Sequence, residues 1–92
     1  MILEIKHDED ENKFYIIVNG SEAYLRYIMV DNDTMEIVQT YVPNELRNRG
    51  IAGEIVRGCL SFAEEKKLRI IPTCSFAEAF IKRHKEFENL LA

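Results

Sequence analysis

A chain of 92 residues, 47% hydrophobic and 30% charged, suits one small domain with a modest core. Its net charge of −4 argues against nucleic acid as the main partner, and no apolar run approaches the roughly 20 residues that span a membrane. The opening MILEIKHDEDE turns acidic too soon for a secretory signal. Cys59 and Cys74 form neither a disulfide framework nor a zinc set, so a thiol-bearing cytoplasmic chain without metal is expected.

The first 42 residues read as strands broken by turns. ILEIKH leads into the acidic turn DEDEN, then FYIIV, the turn NGSE, AYLRYIMV, the turn DNDT and MEIVQTYV. Asn19-Gly20 is a strong hairpin signal because both residues accept positive φ. Asp31, Asn32 and Asp33 serve the next reversal. Four antiparallel strands in a meander are the simplest product. On the fourth, Glu36 and Tyr41 differ in parity, which sends them to opposite faces of a regular strand.

Pro43 stops this pattern, and the hydrophobic period changes from two to about 3.6. Ile51, Ala52, Ile55, Val56, Cys59, Leu60, Phe62 and Ala63 form one apolar stripe, enough for a helix of about four turns packed on the sheet. LRIIP follows as a fifth strand, and the strand–helix–strand order predicts a parallel pairing with the fourth. Ser75 and Glu78 fit the S-x-x-E capping box, which predicts a second helix with Phe76, Phe80 and His84 on one face. EFENLLA continues it as a short helical end. The expected class is α/β or α+β: one domain over residues 1–92, a mixed, mostly antiparallel five-stranded sheet and two main helices.

The segment RNRGIAG falls between a strand end and a helix start. There the first N–H groups of the helix lack internal partners and the macrodipole adds positive potential. Gly50 and Gly53 carry no side chain to block an anion, while Arg47 and Arg49 can add charge-assisted hydrogen bonds. A diphosphate suits such a turn. The same residues also serve as a plain helix entrance, and neither G-K-[ST] nor G-x-G-x-x-G is present.

Arg47-x-x-Gly50-x-Ala52 resembles the R/Q-x-x-G-x-G/A signature of the GNAT (Gcn5-related) N-acetyltransferases, and V-P-x-E-L-R before it is how that motif commonly begins. P-T-C-S-F-x-x-x-F-I-x-x-H-x-E-F, residues 72–87, is similar to the small single-domain members, and the likeness spans residues 35–87. The resemblance implies a minimal GNAT-like acyl-CoA-binding fold and acetyl-CoA as cosubstrate. It implies that the CoA diphosphate rests on Arg47, Asn48, Arg49, Gly50, Ile51, Ala52 and Gly53. It further implies that the pantetheine arm enters a notch where the strands splay, with backbone contacts at Tyr41 and Val42 and residues 72–74 opposite.

For the chemistry, Cys74 is the sharpest candidate, because a helix start enhances a thiol's nucleophilicity and the resemblance puts the thioester nearby. A transient acetyl-cysteine and a packing thiol are both readings of this residue. Cys59, on the apolar stripe, belongs to the core. His84 could exchange protons near neutral pH or simply pack. Larger family members often carry a tyrosine acid in the last helix, where this chain has Phe76 and Phe80. Small members often have a histidine where it has Gln39.

Two functions follow from different classes: an N-acetyltransferase for an amine acceptor, or a non-catalytic acyl-CoA-binding module or sensor. A ligand-free structural domain is the third. Only DEDEN separates the first two strands, so the acceptor side should be open, suited to a protein lysine, a peptide or a polyamine. Nucleic acid and membrane are not expected partners, and the oligomeric state is left open.

Overall fold

In the computed structural model, which describes residues 4–92, the front half forms β1 (Lys6–Asp8), β2 (Lys13–Val18), β3 (Ser21–Asp31) and β4 (Thr34–Tyr41). Each pairs antiparallel with the one before. The part of the expected first strand at Ile2 and Leu3 lies outside the described residues. Asn19 and Gly20 have φ of 51° and 83° and join Val18 to Ser21, the tight hairpin their dipeptide predicts. A 3₁₀ turn (Asn44–Leu46) leads to α1 (Ile51–Lys66). Then β5 (Arg69–Pro72) pairs parallel with β4, followed by α2 (Ser75–Arg83) and a 3₁₀ segment (Lys85–Leu90). Strand order is therefore β1-β2-β3-β4-β5, with only the last pair parallel.

Alternation along β2 and β3 turns Phe14, Ile16, Ala23, Leu25 and Tyr27 inward. Against them α1 lays Ile51, Ile55, Val56, Cys59, Leu60 and Ala63, and α2 adds Ala77, Phe80 and Ile81 to the same cluster. Fully burying one such large apolar side chain is worth about 1.5–3 kcal/mol. At Gly58 the helix passes so close to the sheet edge that a Cβ would stand 3.2 Å from Ile5 Cγ2. Both helices thus occupy one face. Among the described residues no helix covers the other, which carries Tyr15, Tyr24, Arg26 and Ile28. The outer edge of β5 is partly masked by the C-terminal segment, where Ala92 N–H donates to the Ile70 carbonyl at 3.0 Å.

Two local expectations are corrected. The register passes from Arg26↔Gln39 to Tyr27↔Ile37, so Val38 is an extra residue, a β-bulge in β4. The bulge reverses the parity beyond it. Glu36 pairs with Ile28 and Tyr41 with Tyr24, so both lie on the bare face, not on opposite ones. The capping box is not formed either. Cys74, in extended conformation, is the N-cap of α2 without a side-chain cap bond, and Ser75 is already helical. A serine inside the first turn cannot fold back on the N–H groups as an N-cap does.

Candidate functional site

Pro43 ends β4, and the 3₁₀ turn after it sets up residues 47–50 ahead of α1. Arg47 Nε donates to the Val42 carbonyl at 2.9 Å, so this side chain braces the strand end while its guanidinium remains at the surface. Asn48 and Gly50 both adopt positive φ, 64° and 74°. Gly50 is the N-cap of α1, and a glycine cannot supply a side-chain cap. The first intrahelical bond is Glu54 N–H to Gly50 carbonyl, 3.2 Å, and the N–H groups of residues 51–53 have no chain partner among the described residues. They border a cleft of about 310 Å³ walled by Val42, Leu46, Arg47, Asn48 and Phe76 together with residues 50–53 of the helix start. A Cβ at Gly50 would meet nothing within 4 Å, so the turn is held by backbone conformation and opens to solvent. A Cβ at Gly53 would lie 3.6 Å from Phe80, which gives that glycine a second place, in the contact between α1 and α2.

The notch follows from the bulge. Pairing of β4 with β5 ends at Ile37↔Pro72, and Cys74 N–H still reaches the Ile37 carbonyl at 2.9 Å. Residues 38–41 of β4 have no partner in β5, so the sheet forks. Thr40, paired with the inward Leu25, faces the helices and meets Cys74 Sγ at 3.3 Å across the fork. Nothing in the residue pattern marks Thr40, since only the bulge turns it inward.

The other candidates separate clearly. Val42, Arg47, Asn48, Gly50, Ile51, Ala52 and Gly53 gather round the cleft; Arg49, Tyr41 and Cys74 are outside its lining. Tyr41 stands on the bare face, its ring 5.4 Å from that of Tyr24. Glu36, below the fork, accepts a hydrogen bond from Thr73. His84 stacks on Phe80 at 3.9 Å with Nδ1 2.9 Å from the Phe80 carbonyl, which is a packing role. Cys59 is fully buried, and burial pushes its thiol well above the ordinary range. Leu46 and Phe76 complete the cleft walls and were not expected there.

These elements define a two-layer α/β domain whose sheet forks beside an uncapped helix N-terminus, a geometry able to seat an anion and a slender chain leading from it. The sequence profile of the GCN5-related N-acetyltransferases matches residues 13–90. The protein NATD1 of Bos taurus is 31% identical over 84 residues, covering 89% of this chain and 74% of its own length, and that of Xenopus tropicalis is 29% identical over 84 residues. The solution structure of a GCN5-like candidate N-acetyltransferase from Staphylococcus aureus superposes with a TM-score of 0.76 at 34% identity, covering 98% of this chain and 88% of that one. The chain belongs to the GCN5-related N-acetyltransferase family. Members of this family use acetyl-CoA and act on amines.

Proposed function

We propose that this protein is an acetyl-CoA-dependent N-acetyltransferase whose RNRGIAG turn binds the CoA diphosphate. The observation that carries the reading is the uncapped start of α1, where N–H groups of residues 51–53 border the cleft beside the forked end of β4. Backbone donors there hold a diphosphate without a specific side chain, and Arg47 and Arg49 add charge-assisted bonds from the rim. The pantetheine arm lies along Tyr41 and Val42, which brings the thioester toward Thr40 and Cys74. The acceptor nitrogen attacks the thioester carbonyl; the C–N bond forms, the C–S bond breaks, and the nitrogen's proton leaves as CoA departs as a thiol. Cys74 borders the carbonyl in this arrangement and is the residue whose direct participation merits a test. A reducing compartment such as the cytoplasm keeps it a thiol.

Calorimetry with CoA and acetyl-CoA is the test. Saturable binding of both is expected, and no binding at millimolar ligand contradicts the proposal. Acetyl transfer to an amine then separates an enzyme from a binding module, which the lack of a histidine or tyrosine hydroxyl at Gln39, Phe76 and Phe80 would suit. An acetylated Cys74 in the intact-mass spectrum, lost in Cys74→Ala together with turnover, marks a covalent route. Full activity of that variant removes it.

A further inference from the structure

On the bare face of the sheet, Lys13 of β2 stands directly opposite Arg26 of β3. Like charges opposed in an antiparallel pair destabilise it. Lys13 is compensated, its ammonium lying 2.7 Å from the Glu22 carboxylate. Arg26 is not: its guanidinium lies over the Tyr24 ring at 5.2 Å, and it forms no ion pair among the described residues. Glu36, in the next row of the same face, is engaged by the Thr73 hydroxyl.

This charge stands beside the fork. Its register partner is Gln39, two residues past Ile37, where β5 leaves β4. The guanidinium therefore originates one strand spacing, about 5 Å, from the β4 wall of the notch. Tyr24 and Tyr41 flank it as an aromatic pair. On the helix side Leu46, Ile51 and Phe76 line the cleft that CoA takes in this reading, and Thr40 meets Cys74 across the fork, so an acceptor has the bare face as its approach.

We propose that Arg26 is the anion-binding group of the acceptor site, and that the acceptor is an amine whose own skeleton carries a carboxylate. The inference rests on the acetyl-CoA reading and names the acceptor class for it. A carboxylate on the guanidinium supplies the compensation the sheet lacks, through a planar, charge-assisted contact that the Tyr24 ring leaves open at the guanidinium edge. The Arg26 backbone lies one strand spacing, about 5 Å, from the β4 wall and its side chain reaches outward from there, so the bound anion and the reacting nitrogen stand several ångströms apart. A lysine side chain separates its ε-amine from its own α-carboxylate by a comparable span. A polyamine, positive throughout, is disfavoured by the same guanidinium.

Nα-acetyl-lysine and Nα-acetyl-lysine methylamide present the same amine and differ by one carboxylate. With acetyl-CoA as donor, kcat/KM for the acid is expected to exceed that for the methylamide by about tenfold. Arg26→Gln should bring the two to equality without changing CoA affinity by calorimetry, and Arg26→Lys should restore part of the preference. Equal rates in the wild type, a preference untouched by Arg26→Gln, or faster reaction with spermidine than with the acid overturns the assignment. So does bound CoA with neither lysine derivative modified, an outcome that leaves the CoA reading standing. Absence of CoA binding instead removes that reading, and this inference with it.

Discussion

The first turn of α1 has Gly50 as its cap, no side-chain cap bond, and N–H groups beside an open cleft. At its last turn Lys67 takes the left-handed conformation, φ 60°, and Leu68 N–H closes back on the Ala63 carbonyl at 2.8 Å, satisfying the helix end as a C-terminal cap does. Near that end Phe62 meets His7 edge-on at 4.6 Å, His7 stacks on Phe14 at 3.9 Å, and its Nε2 is 2.6 Å from the Tyr27 hydroxyl. Burial lowers the His7 pKa, partly offset by the charges of Glu9 and Asp8, and burial together with nearby acids pushes Tyr27 up to about 12. One helix thus has a closed end whose polar groups are paired and an open end whose N–H donors have no chain partner among the described residues. Stability should concentrate at the first and ligand sensitivity at the second.

Substitutions can break that contrast. Phe14→Ala should cost about 3–4 kcal/mol in denaturant unfolding while leaving CoA affinity within about twofold. A large loss of affinity would mean that the two ends are not independent. Gly50→Leu should cost about 1–2 kcal/mol, because φ is positive although its Cβ has free space, and should weaken CoA binding at least tenfold. Undiminished binding would remove the open end's role. His7 is neutral in the fold with a lowered pKa, so its contribution is full above the unfolded value of 6.5 and is lost as pH falls below it. Melting curves between pH 7 and pH 5 should therefore slope less for His7→Phe than for the wild type. The smallest effect is expected for Lys67→Gly, a gain of about 0.5–1 kcal/mol from relieving a left-handed lysine.

Much of this architecture was legible in the chain. The strand meander, the Asn19-Gly20 turn, the apolar stripe of α1 and the parallel fifth strand follow from local periodicity and turn chemistry, which are short-range signals. The glycine turn could be read because a helix start advertises its residues. The bulge at Val38 could not, since M-E-I-V-Q-T-Y keeps an unbroken strand-forming composition, and the shift arises only from pairing with β3. With it went the facing of Glu36, Thr40 and Tyr41. The cap of α2 lies one residue before the one the capping-box pattern predicts, because Cys74 N–H is held by the Ile37 carbonyl, a tertiary bond at the point where the helix begins. Arg26 likewise reads as an ordinary strand residue until the register sets it against Lys13.

The central claim is that α1 meets its ligand with backbone donors at one end only. Titrating ¹⁵N-labelled protein with CoA and following amide cross-peaks tests it directly. The account predicts the largest shifts at Gly50, Ile51, Ala52 and Gly53, with Lys66, Lys67 and Leu68 nearly unmoved. Saturable binding that leaves the amides of residues 50–53 in place, or that moves the far end of the helix instead, would contradict it.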